Sequence, residues 1–135
     1  MIDTATEELA QAAESAMRNA YAPYSKFSVG AALRSSDGLI HLGCNVENAS
    51  YPAGICAERT ALSRAIADGA REFTAIVICT EAAVPTPPCG MCRQVLHEFA
   101  PMLHVTSITT SGERQTWRLD ALLPAAFAAT LMGLS

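Results

Sequence analysis

Clustered positive charge is missing from this chain. Nine Lys and Arg residues stand against thirteen Asp and Glu, for a formal charge of -4, and the cations are scattered rather than grouped. A polyphosphate backbone is gripped by concentrated cations, so a small molecule is expected as partner and nucleic acid is not. A long apolar run is missing too. The longest uncharged stretch, Ala121 to Ser135, falls short of a bilayer span and is broken by Pro124, so no membrane association is expected. The opening residues include Asp3, Glu7 and Glu8 and show no basic segment followed by an apolar one, so they do not read as an export or transit leader. An even cysteine set is lacking as well. Five cysteines without a leader fit metal binding and buried thiols in a reducing cytoplasm better than a disulfide framework.

What is present is apolar content of 50% over 135 residues, enough for one core and little more, so residues 1–135 are expected to form a single domain. No internal repeat, low-complexity segment or linker divides them. Leu9, Ala12, Ala13, Ala16, Met17 and Ala20 keep helical spacing, which predicts a helix over 4–20 ahead of Pro23. Two β-prone runs, 28–34 and 39–45, flank Asp37-Gly38, a hairpin signal. A helix is predicted over 56–68, ending at Gly69, and the near-continuous apolar run 73–80 reads as a strand covered on both faces. A helix over 90–100, strands over 104–110 and 114–117 and a helical tail complete the pattern. That order describes an α/β chain with a mixed sheet and helices packed on its faces.

Two local motifs carry chemistry: Cys56-Ala57-Glu58 and Pro88-Cys89-Gly90-Met91-Cys92, each at the start of a predicted helix. The C-x-x-C spacing places Cys89 and Cys92 on one side of a first helical turn, as a tetrahedral metal requires, and Cys56 supplies a third thiolate. All three sit at helix N-termini, where the macrodipole stabilises a thiolate. Three protein ligands leave one position for water, the mark of a catalytic zinc rather than a structural one. Glu58 is then placed to take a proton from that water. A regular helix would turn residues 56 and 58 about 200° apart, so Cys56 is expected at the non-helical edge and Glu58 just inside. Three thiolates on a dication leave net negative charge, which opposes loss of a proton from the water. Arg59 is the candidate to withdraw that charge by donating to the thiolates.

A Cys₃ or His/Cys₂ zinc site, a nearby glutamate that is not a ligand, and P-C-x-x-C together mark the zinc nucleobase deaminases. Over nearly its whole length the chain resembles the small homotetrameric zinc-dependent cytidine deaminases. The resemblance runs through Phe27-Ser28-Val29-Gly30-Ala31-Ala32, Asn45-Val46-Glu47-Asn48-Ala49-Ser50-Tyr51, Cys56 to Ala61, Pro88 to Gln94, and Leu122-Leu123-Pro124. It implies a three-layer cytidine-deaminase-like fold, a mixed five-stranded sheet with helices on both faces, and one Zn²⁺ per subunit on Cys56, Cys89 and Cys92. It implies hydrolysis of cytidine and deoxycytidine to uridine and deoxyuridine with release of ammonia, in pyrimidine salvage. Glu58 would carry protons from water to N3 of the ring and then to the departing amino group. Asn45 and Glu47 look like the ribose 3′-hydroxyl contacts, Phe27 like a wall of the base pocket, and the backbones of Ala57 and Cys89 like the groups that read the pyrimidine edge. Arg59 and Gln94 stand behind the ligands. In a homotetramer with shared pockets, Ala49, Tyr51 and Phe127 would come from neighbouring subunits. Two features depart from the pattern. Pro87 stands where Ser is common, and the uncharged tail 128–135 reads either as buried between subunits or as disordered.

Taken alone, Cys89-x-x-Cys92 also reads as a redox pair or half a structural zinc knuckle. The upstream Cys-Ala-Glu removes that ambiguity. Cys44 and Cys79 lie in strand-like runs and read as small core residues. His41, His97 and His104 lie in no metal-spaced motif. Rival functions are the same chemistry on an aminonucleoside antibiotic or a polynucleotide base, and a zinc-stabilised binding module without turnover. Glu58 argues against the last, because a structural site takes a fourth protein ligand and needs no base.

Overall fold

The computed structural model describes residues 3–134. Helix α1 (Thr4–Met17) starts at Asp3, whose carboxylate accepts from Ala5 N at 3.3 Å, and buries Leu9, Ala10, Ala13, Ala16 and Met17. It ends three residues before the sequence spacing suggested. From Arg18 to Ala20 the amides bond three residues back, to Ser15, Ala16 and Met17, which tightens the chain into a turn. Strands β1 (Val29–Ser35) and β2 (Ile40–Cys44) form the expected hairpin, with Gly38 in the left-handed region at φ 91°. His41 is buried beneath it, its Nε2 3.0 Å from Ser35 Oγ, which satisfies the ring locally.

Helix α2 (Ala57–Ala67), strand β3 (Phe73–Thr80), helix α3 (Gly90–Phe99), strands β4 (His104–Thr109) and β5 (Arg114–Arg118) and the short helix α4 (Leu119–Leu122) follow. The sheet order is β2-β1-β3-β4-β5, with only the β3–β4 pair parallel. That pair is joined through α3, since parallel neighbours need a crossover. Helix α1 covers one face through Leu9, Ala13, Met17, Val77 and Cys79. Helices α2 and α3 cover the other through Ala61, Leu62, Ile76, Ile78, Leu96 and Val105. The result is the three-layer mixed five-stranded arrangement.

Gly43 sets the depth at which α2 docks. A Cβ there would lie 2.4 Å from both Ala57 O and Ala61 N, so only glycine lets the first turn of α2 rest on β2. Gly30 does the same for α1 on the opposite face, where a Cβ would meet Ala13 O at 2.0 Å.

The tail departs from expectation. In place of a helix, α4 is followed by an irregular stretch and a 3₁₀ turn at Ala129–Met132. Pro124 lacks the N–H that would carry a helix on, and Ala125 takes φ 52°. Leu131, Met132 and Leu134 are exposed in the single chain, and Ser135 lies outside the described residues. A 3₁₀ turn at Tyr51–Ala53 is also absent from the sequence reading.

Candidate metal centre and substrate cavity

Cys56 is the N-cap of α2, with extended backbone at φ -76°, ψ 156°, and Cys89 is the N-cap of α3 at φ -66°, ψ 166°. Neither thiol caps its own helix, so both sulfurs are free to turn toward each other. Cys92 lies one turn into α3 and is fully buried. The Cys56 and Cys89 Sγ atoms are 4.0 Å apart and those of Cys89 and Cys92 3.4 Å, with all three within 4.8 Å of one another. All five cysteines are free thiols. No histidine joins the cluster among the described residues.

Three soft donors at this spacing suit a borderline-soft dication such as Zn²⁺, and among the described residues no fourth His, Cys, Asp or Glu closes the set. The thiols alone share protons unequally. Hydrogen bonding from Cys92, with lesser help from Cys89 and Arg59, pulls the Cys56 thiol down to about 5. The same bond and burial hold Cys92 well above its ordinary range. Arg59 lies against both sulfurs. Burial works to lower its pKa, but bonding to Cys56 and the charge of the thiols raise it on balance. Its Nη2 reaches Gly54 O at 3.4 Å, and its Nε is buried without a hydrogen-bond partner.

Glu58, one residue inside α2, is buried at 5% exposure. Burial, together with the negative Cys56, pushes its carboxyl up to about 7. A carboxyl poised near neutrality can both take and give a proton.

Glu58, Cys56 and Cys89 open onto a cavity of about 280 Å³ whose walls include Phe27, Asn45, Glu47, Ala57, Thr86 and Pro87. Val46 pairs with Ile55 through two backbone bonds, at 3.0 and 2.9 Å, which lays Asn45 and Glu47 beside the start of α2. Asn45 is buried, accepting from Val29 N at 2.9 Å and donating to Phe27 O at 2.7 Å. One of its two amide N–H groups stays free. Glu47 accepts at Oε1 from Tyr24 N at 3.0 Å and Ser25 N at 3.1 Å, and at Oε2 from the Ser25 hydroxyl. Of about four lone pairs on a carboxylate, these bonds leave roughly one for a ligand hydroxyl.

Ala49, Tyr51 and Phe127 are not brought to this cavity. Tyr51 is 76% exposed and meets Tyr24 edge-on in the neighbouring hollow. Phe127 is 61% exposed and is tethered through its carbonyl, which accepts from Gln94 Nε2 at 2.9 Å. Gln94 therefore serves the Phe127 segment and makes no hydrogen bond to the sulfurs. Cys79 is a core thiol, raised to about 11 by burial, and Cys44 is half-buried at the end of β2. Sequence reasoning gave no role to Ser25, whose hydroxyl joins Glu47 to Phe27 N at 3.0 Å, nor to Arg93. Its proximity to Phe27 was the one local signal for Ser25.

Residues 3–108 match the family model described as the cytidine and deoxycytidylate deaminase zinc-binding region. The chain is 43% identical over 123 residues to a cytidine deaminase of Sporosarcina psychrophila, covering 90% of each. It is 46% identical over 115 residues to one from Halalkalibacterium halodurans, covering 84% of this chain and 87% of that one. Among solved structures, cytidine deaminase from Burkholderia pseudomallei superposes with a TM-score of 0.87 at 48% identity, over 90% of this chain and 98% of that one. The enzyme from Mycobacterium tuberculosis gives 0.82 at 36%, over 93% and 98%.

Proposed function

The chain belongs to the cytidine and deoxycytidylate deaminase family, and from that premise we propose that it hydrolyses cytidine and deoxycytidine to uridine and deoxyuridine, releasing ammonia, as a zinc-dependent pyrimidine-salvage enzyme. One observation carries the reading: the buried Glu58 carboxyl opens onto the same cavity as Cys56 and Cys89 of the three-thiol cluster.

When bound by Cys56, Cys89 and Cys92, Zn²⁺ supplies Lewis acidity that makes water a usable nucleophile at neutral pH. Glu58 takes the proton that the attacking water loses and delivers it to N3 of the ring. It then moves the proton of the hydroxyl newly bonded to C4 onto the amino group, and the C4–N bond breaks as the C4 carbonyl forms and ammonia leaves. Arg59 draws negative charge away from the thiolates. Asn45 and Glu47 orient the sugar through the free amide N–H and the remaining carboxylate lone pair, Phe27 walls the base, and the backbones at Ala57 and Cys89 face the pyrimidine edge.

The exposure of Tyr51 and Phe127 away from their own cavity supports delivery of Ala49, Tyr51 and Phe127 to neighbouring subunits of a homotetramer. Sedimentation would then give about four times the 14.2 kDa chain mass. Five free thiols suit a reducing cytoplasm. Neither nucleic acid nor membrane is required as a partner.

The test is loss of cytidine absorbance with zinc-replete protein, run beside Glu58→Ala with zinc content determined for both. Turnover by the parent and a fall of roughly 10²–10⁴-fold in a zinc-loaded Glu58→Ala are expected. A zinc-loaded parent that turns over neither nucleoside would sink the substrate assignment and point to other aminopyrimidine nucleosides.

A further inference from the structure

The loop 81–88, between β3 and α3, lends Thr86 and Pro87 to the cavity wall and leads into Cys89. Prolines at 85, 87 and 88 have no N–H to donate. Among the described residues, no backbone-to-backbone hydrogen bond reaches this loop. Its side-chain bonds with its own neighbourhood are short-range, from Ala82 N to Thr80 Oγ1 and from Thr86 Oγ1 to Val84 O. Among the described residues, one hydrogen bond ties the far end of the loop to the body of the protein: Arg93 Nε donates to Pro88 O at 2.8 Å. The same guanidinium donates through Nη1 to Leu122 O, the last residue of α4, at 2.7 Å.

A guanidinium is a planar fork whose donors are fixed relative to one another, so two carbonyls bound to it are fixed relative to each other. We infer that Arg93 is a positioning residue of the metal centre, locking the carbonyl before Cys89 to α4 and thereby aiming the Cys89 thiol and the Thr86–Pro87 wall. Its two hydrogen bonds go to carbonyls of different segments, at 2.8 and 2.7 Å, whereas Arg59 makes one longer bond, to Gly54 O at 3.4 Å, and acts on the thiols through its charge. Pro87 and Pro88, at the end of the loop that leads into Cys89, have no N–H with which to hold it. The inference rests on the metal-centre reading given above.

Arg93→Met and Arg93→Lys test it, each loaded with zinc and, separately, with cobalt. Lysine keeps the charge but is a compact donor on a flexible stem and cannot reproduce the fork. Four readouts are taken: visible absorption of the cobalt form, the rate of zinc loss to a chromophoric chelator, kcat and KM for cytidine, and the melting temperature. Supporting groups behind metal ligands typically account for 10–100-fold in affinity or activity. Arg93→Met is therefore expected to lose zinc and kcat in that range, with KM moving less and the cobalt bands displaced, and Arg93→Lys to fall between it and the parent. Should Arg93→Met fail to fold, Arg93→Lys carries the test alone. A lowered melting temperature with the parent's cobalt spectrum and chelation rate would overturn the inference, leaving Arg93 a fold residue. A parent that holds cobalt but does not deaminate cytidine would instead sink the functional assignment, with the spectrum and chelation rate still deciding Arg93.

Discussion

Ser25 and Glu47 are joined at the mouth of the cavity by two hydrogen bonds, amide to Oε1 and hydroxyl to Oε2, and the same hydroxyl accepts from Phe27 N. One serine thus ties the expected sugar contact to the expected base wall.

A pH dependence follows. The Ser25 hydroxyl first, then the Ser25 and Tyr24 amides, hold the Glu47 carboxyl below the ordinary glutamate value. A folded-state pKa below the unfolded one contributes anchoring that is present above about 4.5 and lost as pH falls through the folded value. The part of the calorimetric affinity for uridine that Glu47 supplies, read as the difference between the parent and Glu47→Gln, should therefore hold from neutrality down into the ordinary carboxylate range and fall only below it. Ser25→Ala should move the fall to higher pH. An unchanged midpoint in Ser25→Ala would show that its hydroxyl does not tune Glu47.

The two packing glycines should separate stability from activity. An added methyl at Gly43 or Gly30 meets backbone rather than a yielding side chain, and overpacking of this kind costs about 1–3 kcal/mol. Both alanine variants should melt several degrees lower by calorimetry. Gly43→Ala shifts the turn that carries Cys56 and Glu58, so its kcat per folded molecule should drop. Gly30→Ala shifts α1 on the far face and should keep the parent's kcat where it is folded. Equal activity in the two variants would refute the claim that Gly43 sets the site.

Metal removal should be visible as thiols. With a dication bound, Cys56, Cys89 and Cys92 are engaged, and chelation frees all three. A thiol reagent should titrate about two more equivalents after chelation, from Cys56 and the exposed Cys89, in step with lost activity, while Cys92 and Cys79, both buried and held above the ordinary thiol range, stay silent until unfolding. Activity that survives full release of the Cys56 and Cys89 thiols would exclude a metal-dependent reaction.

The parts of the site written within a few consecutive residues were legible in the sequence. Cys56 and Glu58 fall where the capping argument put them because a helix edge is a local event. The Ser25–Glu47 and Arg93–Leu122 bonds span 22 and 29 residues and depend on how distant loops dock, which no local pattern encodes. The same limit applies to the sheet. Its strands could be read one by one from apolar runs, but insertion of β1 between β2 and β3 is a nonlocal choice. The tail was misread as helix because its apolar composition outweighed the break at Pro124 and the left-handed Ala125.

Cys56 and Cys89 begin two different helices and lie 33 residues apart in the chain. An ion held by both is a crosslink, closing a loop whose entropy the unfolded chain would otherwise keep, much as a disulfide does. Unlike a disulfide, this closure is indifferent to reductants and yields to competition for the ion. The α2–α3 junction therefore draws part of its permanence from the free-metal level around the protein.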